Sequence, residues 1–297
     1  MSHFTVLVIG EDVEKQLEPY HEFECTGRDD QYVQDVDVTE EYRQDWQKYG
    51  KGTFAEYCAT KGKRIIHSKE QINDDHKYGY TLANKTGEVA TVIRRTNPNA
   101  KWDWYLVGGR WTGFFKLKKG AEGVRGRPGI MTEPAKPGYA DQAHKEDIDI
   151  LEMGKEASTK AGERWDEFHA IVDKHPAWAS WEEIKAKHDI PKEIEVAREE
   201  YHNQPAIKAI NDAGKYGFLE NPEKYQVPRE EYTARAAATA LQTFAVVKDG
   251  KWYDRGKMGW WACVSDEKPA EQWSEEFSRL INDLAGDTLL TLVDCHI

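Results

Sequence analysis

The chain has 297 residues and a formal net charge of −12, and 11% of its residues are aromatic. This length suits one large domain with an inserted part, or two domains, and the aromatic content excludes an intrinsically disordered chain. No apolar run approaches the roughly 20 residues that cross a bilayer, and residues 4–9 lack the basic flank of a signal peptide. We therefore expect a cytoplasmic protein that does not contact a membrane.

The first half of the chain predicts a strand, a helix and two hairpins. Residues 4–9 are β-branched and apolar on both faces, which indicates a central strand. A helix is predicted over residues 39–59, with possible breaks at Gly50 and Gly52. Two hairpins follow, one from residues 78–82 and 88–93, the other from residues 102–107 and 110–117 around Gly108 and Gly109. Residues 118–139 are rich in glycine and proline and predict a long loop.

The second half changes from helical to strand periodicity. Residues 147–241 predict several short helices separated by prolines. A hairpin with an Asp249-Gly250 turn, a strand over residues 260–264, a helix over residues 269–284 and a final strand over residues 289–293 follow. We predict an α+β fold in which a discontinuous, mixed or antiparallel sheet domain, residues 1–146 plus 242–297, carries an inserted helical module, residues 147–241.

Acidic residues are concentrated between positions 11 and 45, where only Lys15, Arg28 and Arg43 oppose them. Such a stretch repels nucleic acid directly and suits a basic protein partner. Tryptophan is a typical anchor of protein interfaces. The candidate partner-binding residues are accordingly Glu11, Glu14, Glu18, Trp178 and Trp181.

The sequence contains no recognisable catalytic signature, so no catalytic residue is predicted. An alternative is an enzyme of phage origin, a metal-dependent hydrolase or a nucleotide-modifying protein. Its metal would be held by four carboxylates: Asp29, Asp30, Asp35 and Asp37. Its phosphate group would be bound by Arg125 and Arg127 in a glycine-containing basic run.

The four cysteines are far apart and form no C-x-x-C pair, which argues against a zinc ribbon or a disulfide framework. Reduced thiols are the expectation, and one intermolecular disulfide is an open alternative. A zinc site with ligands from both termini is a further alternative: His21, Cys25, Cys295 and His296.

Three segments carry a family resemblance: MSHFTVLVIG at residues 1–10, PYHEFECTG at 19–27 and NPNAKWDWYLVGGRW at 97–111. They resemble a family of phage- and prophage-encoded proteins. In length, acidity and predicted helical arm the chain is similar to phage proteins that block bacterial defence complexes, specifically the Gabija anti-defence family. This resemblance implies a non-enzymatic inhibitor in the infected host cell, without a cofactor, that forms homo-oligomers around a DNA-cleaving defence assembly.

Overall fold

The computed structural model describes residues 2–22, 31–214 and 221–297. The chain divides into two compact units, one made of Met1–Ile148 with Thr243–Ile297 and the other of Asp149–Gln242. Mixed sheets and several helices confirm the predicted α+β fold. In the described part of the chain, no helix is long and apolar enough to cross a membrane.

The strands are β1 (His3–Ile9), β2 (Gln34–Asp37), β3 (Ile65–Ile66), β4 (Gly79–Ala83), β5 (Val89–Thr96), β6 (Trp104–Gly109), β7 (Phe115–Lys116), β8 (Arg127–Pro128), β9 (Tyr139–Ala140), β10 (Gln142–His144), β11 (Ala245–Lys248), β12 (Lys251–Asp254), β13 (Lys257–Met258), β14 (Val264–Ser265) and β15 (Leu289–His296). The α-helices are α1 (Val13–Leu17), α2 (Thr39–Tyr49), α3 (Phe54–Thr60), α4 (Ile150–Val172), α5 (Trp181–Lys185), α6 (Ile194–Asn203), α7 (Pro205–Asp212), α8 (Arg229–Ala238) and α9 (Ala270–Asn282).

A mixed sheet forms the centre of the first unit, with the strand order β12-β11-β1-β15-β6-β8 and β10 beside β15. Strand β1 pairs in parallel with β11 and antiparallel with β15, which confirms its predicted central position. One face of β1 packs into a core cluster through Phe4, Val6 and Val8. On the opposite face Leu7 is also fully buried, so both faces of this strand are covered, as its continuous apolar sequence predicts.

A smaller sheet has the strand order β2-β5-β4-β3, and its β4–β5 pair confirms the first predicted hairpin. The predicted helix over residues 39–59 is divided into α2 and α3. The division follows from Gly50 and Gly52 and from Thr53, whose side chain accepts a hydrogen bond from the Glu56 N–H in a capping box. The anticipated break at the glycines is therefore confirmed.

The second predicted hairpin is wrong. Strand β6 pairs with β15 along Trp104–Val107 and with β8 at Gly108 and Gly109, and within the described residues it does not pair with the segment that follows the Gly108-Gly109 turn. Those residues form β7, which pairs with β9 inside the region predicted to be a loop. Both glycines do have positive φ angles, as the turn prediction requires. The glycine turn is therefore confirmed, but the segments on its two sides pair with other strands, β6 with β15 and β7 with β9.

The C-terminal part agrees with the sequence except at one segment. Strands β11 and β12 pair antiparallel around Asp249 and Gly250, which confirms that hairpin. Helix α9 buries Trp273, Phe277 and Ile281 at the predicted spacing. However, the predicted strand over residues 260–264 is wrong, because Trp260–Ala262 forms a turn between β13 and β14.

The second unit contains α4 to α8. Its core includes Phe168 from α4, Ile184 from α5, Tyr201 from α6 and Ile207 from α7. Tyr225 completes the centre, where its ring stacks on Phe168 with 4.2 Å between the centroids. This unit therefore has a hydrophobic core of its own.

Candidate partner-binding site

The short acidic helix α1 and the residue that follows it carry two of the predicted partner-binding residues, Glu14 and Glu18. The four-residue spacing of Glu14 and Glu18 places both carboxylates on one face of the helical turn, while Leu17 is completely buried. The Gln16 side chain fixes the start of the helix by donating hydrogen bonds from Nε2 to the carbonyl oxygens of Ile9 (3.0 Å) and Glu11 (2.8 Å). Both carboxylates therefore project from a fixed turn beside β1.

Glu14 and Glu18 line a cavity of about 550 Å³. The residues around it are Asp12, Glu14, Lys15, Glu18, His21, Trp102 and Tyr105. Trp102 is buried, and its indole N–H donates to the Leu17 carbonyl at 3.1 Å, which joins the aromatic side of the cavity to α1. His21 stacks on Trp102 with the ring centroids 4.3 Å apart, and Tyr105 meets Trp102 edge to face at 5.1 Å.

The charges of this cavity favour a cation. Three carboxylates face one ammonium group, that of Lys15. Burial raises the pKa of the Tyr105 hydroxyl, and the negative charge of Glu14 contributes to the same shift. A planar guanidinium can stack on aromatic rings while its N–H groups donate to carboxylates, so an arginine side chain fits this lining.

The other predicted partner-binding residues lie elsewhere. Glu11 is exposed but does not line the cavity. Trp178 and Trp181 belong to the second unit, where they are half-buried and meet the Tyr201 ring edge to face. The structure thus brings Glu14 and Glu18 together and places both tryptophans against the helical core.

Two of the alternative metal-binding carboxylates have protein partners. Asp35 accepts a hydrogen bond from the Tyr80 hydroxyl at 2.9 Å and pairs with Arg95 across strands β2 and β5 at 3.2 Å. Asp37 accepts from the Thr39 N–H and hydroxyl, and these bonds lower the pKa of its carboxyl. Asp29 and Asp30 lie outside the described residues. Within the described ranges, no three His, Cys, Asp or Glu side chains are grouped to hold a metal ion.

The alternative phosphate-binding residues are both exposed. Arg127 lies in β8 and Arg125 two residues before it. The neighbouring glycines serve close packing, because a Cβ at Gly126 would lie 2.0 Å from the Val107 carbonyl oxygen and one at Gly123 would lie 2.6 Å from the Ala140 Cβ. The absence of a side chain at both glycines therefore allows their backbone to lie close to other parts of the sheet unit.

Two imidazole–carboxylate pairs involve histidines of the first and last strands. His3 Nδ1 lies 2.8 Å from Asp294, and His296 Nδ1 lies 2.7 Å from Asp103. His3 and His296 are directly opposite in the antiparallel register of β1 and β15. The His296 Nε2 is buried without a partner in the described part of the chain. A substrate cannot reach this nitrogen in the present structure; the first pair joins β1 to β15, and the second joins β15 to the residue that precedes β6.

The terminal zinc alternative is not supported by the strand geometry. Cys295 and His296 are adjacent in β15, so their side chains point to opposite faces of the sheet and cannot ligate one ion. Cys295 lies fully buried in the apolar cluster, and burial raises the pKa of its thiol. Cys25 lies outside the described residues.

Sequence reasoning missed Asp12, Trp102 and Tyr105 as parts of the acidic cavity. Trp102 and Tyr105 are about 90 positions after α1 in the chain, and only the packing of the sheet unit brings them beside Glu14 and Glu18. The local sequence offered one usable signal, the i, i+4 spacing of the two glutamates.

No family model, curated protein or solved structure matches this chain.

Proposed function

We propose that this chain acts by stoichiometric, non-enzymatic binding to a bacterial antiphage defence complex, a DNA-cleaving assembly of the Gabija type. The resemblance of its sequence segments to phage-encoded proteins, together with its length and acidity, supports this class of partner. The observation that carries the proposal is the acidic cavity, in which Glu14, Glu18 and Asp12 face the aromatic side chains of Trp102 and Tyr105. A DNA-binding assembly presents arginine and lysine side chains to nucleic acid, and such side chains match this cavity.

Charge and aromatic contacts have separate roles in this interaction. The net charge of −12 attracts a basic surface over about 10 Å at moderate salt, which raises the association rate. A guanidinium that enters the cavity is desolvated against Trp102 and Tyr105, which slows dissociation. Direct binding to DNA is disfavoured by the same charges.

The test is a titration of a Gabija nuclease assembly with this protein. We expect inhibition that saturates near a fixed molar ratio of the two components, because the mechanism is binding without turnover. Inhibition by a small catalytic fraction of the protein contradicts the proposal, and so does the absence of a complex at equimolar micromolar concentrations.

The Glu14→Lys/Glu18→Lys double variant tests the cavity itself. We expect at least tenfold slower association at low salt and a smaller difference at high salt, since screening weakens steering. The matched control is Glu271→Lys/Glu275→Lys, which reverses two exposed charges at the same spacing on α9. Equal effects of the two double variants in surface kinetics would mean that only net charge matters.

A further inference from the structure

The turn between β13 and β14 presents two large apolar side chains to solvent. Trp260 is 71% exposed and Trp261 is 77% exposed. Trp261 and Ala262 have φ angles of +60° and +57°, a left-handed conformation that is rare for a bulky residue. Such strain persists only where the surrounding structure holds it, and it concentrates at functional positions.

The turn is held by the N-terminal segment. The Ser2 hydroxyl donates a hydrogen bond to the Gly259 carbonyl at 2.6 Å and accepts one from the Ala262 N–H at 2.8 Å. Ser2 is buried, and its backbone exchanges two hydrogen bonds with Ile297. The two tryptophans are therefore displayed by a fixed turn, so docking them to a partner costs little conformational entropy.

An apolar cavity of about 260 Å³ lies beside this turn, and Met258, the last residue of β13, forms part of its wall. Phe4, Phe244, Trp252 and Ile297 supply most of the remaining apolar lining. The volume exceeds the approximately 150 Å³ of an engineered cavity that binds benzene, so one aromatic side chain can enter.

The charged groups around the turn and the cavity are paired with each other. Lys257 lies 2.7 Å from Asp266, and Lys101 lies 3.0 Å from Asp254. Arg255 is likewise paired with Glu267. Although the whole chain is strongly acidic, two copies can approach at this locally neutral surface without bringing unpaired like charges together.

We propose that this surface binds a second copy of the chain with twofold symmetry, with a tryptophan of each turn inserted into the cavity of the other copy. A twofold interface uses the same patch on both partners, so an aromatic projection beside an aromatic-sized cavity is self-complementary. The two indoles of one copy bury roughly 300 Å². Because each copy contributes its two indoles, about 600 Å² of indole surface is buried across the whole contact, in addition to the cavity walls and their rims.

This inference concerns a different surface from the acidic cavity, and it stands without the proposed function. The wild-type protein is expected to be a dimer in light scattering coupled to size exclusion and in sedimentation equilibrium at micromolar concentration. Two variants remove opposite halves of the contact. Trp260→Ser/Trp261→Ser deletes the projection, and Ala100→Trp fills the cavity, which Ala100 also lines.

Each variant alone is expected to weaken the dimer by roughly a hundredfold or more, since buried tryptophans are typical hot spots. An equimolar mixture of the two restores one intact contact and should form a mixed dimer. The control Ile130→Ser changes a fully exposed residue of the same unit and leaves the dimer unchanged. A monomeric wild type, a dimeric double tryptophan variant, or a mixture without mixed dimer each overturns the proposal.

Discussion

Asp141 shows how single residues position the edge of the central sheet. Its carboxylate is completely buried and accepts four hydrogen bonds, from the Thr112 hydroxyl (2.8 Å) and the backbone N–H groups of Gly113 (2.6 Å), Phe114 (3.2 Å) and Gly126 (2.8 Å). A buried carboxylate is tolerated when its oxygens are satisfied in this way. Asp141 therefore connects Gly113 and Phe114, which precede the glycine- and proline-rich region, with Gly126 inside that region.

The raised pKa of the Tyr80 hydroxyl predicts a measurable loss of stability at alkaline pH. Burial, together with the hydrogen bond to Asp35, raises the pKa of its hydroxyl from 10.0 to about 12. The folded state therefore holds this proton more tightly than the unfolded state, and the contribution is complete below pH 10 and lost as the pH rises toward 12. We expect Tyr80→Phe to cost about 1 kcal/mol at pH 8 and less at pH 11.

Urea unfolding of the wild type and Tyr80→Phe at both pH values measures this difference. Tyr49→Phe, which changes an exposed tyrosine of the same unit, is the control and should have no effect at pH 8. If Tyr80→Phe lowers the unfolding free energy equally at pH 8 and pH 11, protonation of Tyr80 does not contribute to stability and the prediction is contradicted.

The Gly108-Gly109 turn at the end of β6 shows why an element can be recognised locally and still pair unexpectedly. A Cβ at Gly108 would lie 2.7 Å from Asp141 Oδ2, and one at Gly109 would lie 2.3 Å from Asp294 Cβ. The Arg110 N–H donates to Asp294 at 2.8 Å. The glycines are thus required by close approach to two buried carboxylates in addition to their positive φ angles.

Gly109→Ala is expected to destabilise the sheet unit by at least about 2 kcal/mol, because the new methyl group overlaps Asp294 and the left-handed backbone is strained. Gly120→Ala is the matched control. The φ of Gly120 is +83°, and a Cβ at this position would meet nothing within 4 Å. Gly120→Ala therefore measures the backbone strain alone, which we expect to lower the unfolding free energy by about 1 kcal/mol. If both variants lose the same unfolding free energy in chemical denaturation, the overlap with Asp294 does not affect stability.

At the scale of the whole molecule, the helical unit Asp149–Gln242 separates the two chain segments that build the sheet unit. Because each unit has its own hydrophobic cluster, we expect the sheet unit to fold when residues 149–242 are replaced by a Gly/Ser linker. Near-ultraviolet circular dichroism and a cooperative thermal transition measure this outcome. An aggregated or non-cooperative product shows that the sheet unit depends on the helices.

The sequence by itself determined the elements whose signals are local. The apolar run of β1, the Asp249-Gly250 turn and the amphipathic spacing of α9 were read correctly, because adjacent residues set the turn conformation and the side-chain period. The same applies to the change from strand to helical periodicity, which predicted the α+β class.

Only the tertiary structure decided which distant segments meet. Strand β6 pairs with β15 and, at its last two residues, with β8. The register of β1 and β15 places His3 opposite His296, and the packing of the sheet unit brings Trp102 beside Glu14. The turn at Trp260 and Trp261 likewise exposes residues whose composition favours a strand. These outcomes depend on long-range competition for strand edges and burial, which neighbouring residues do not encode.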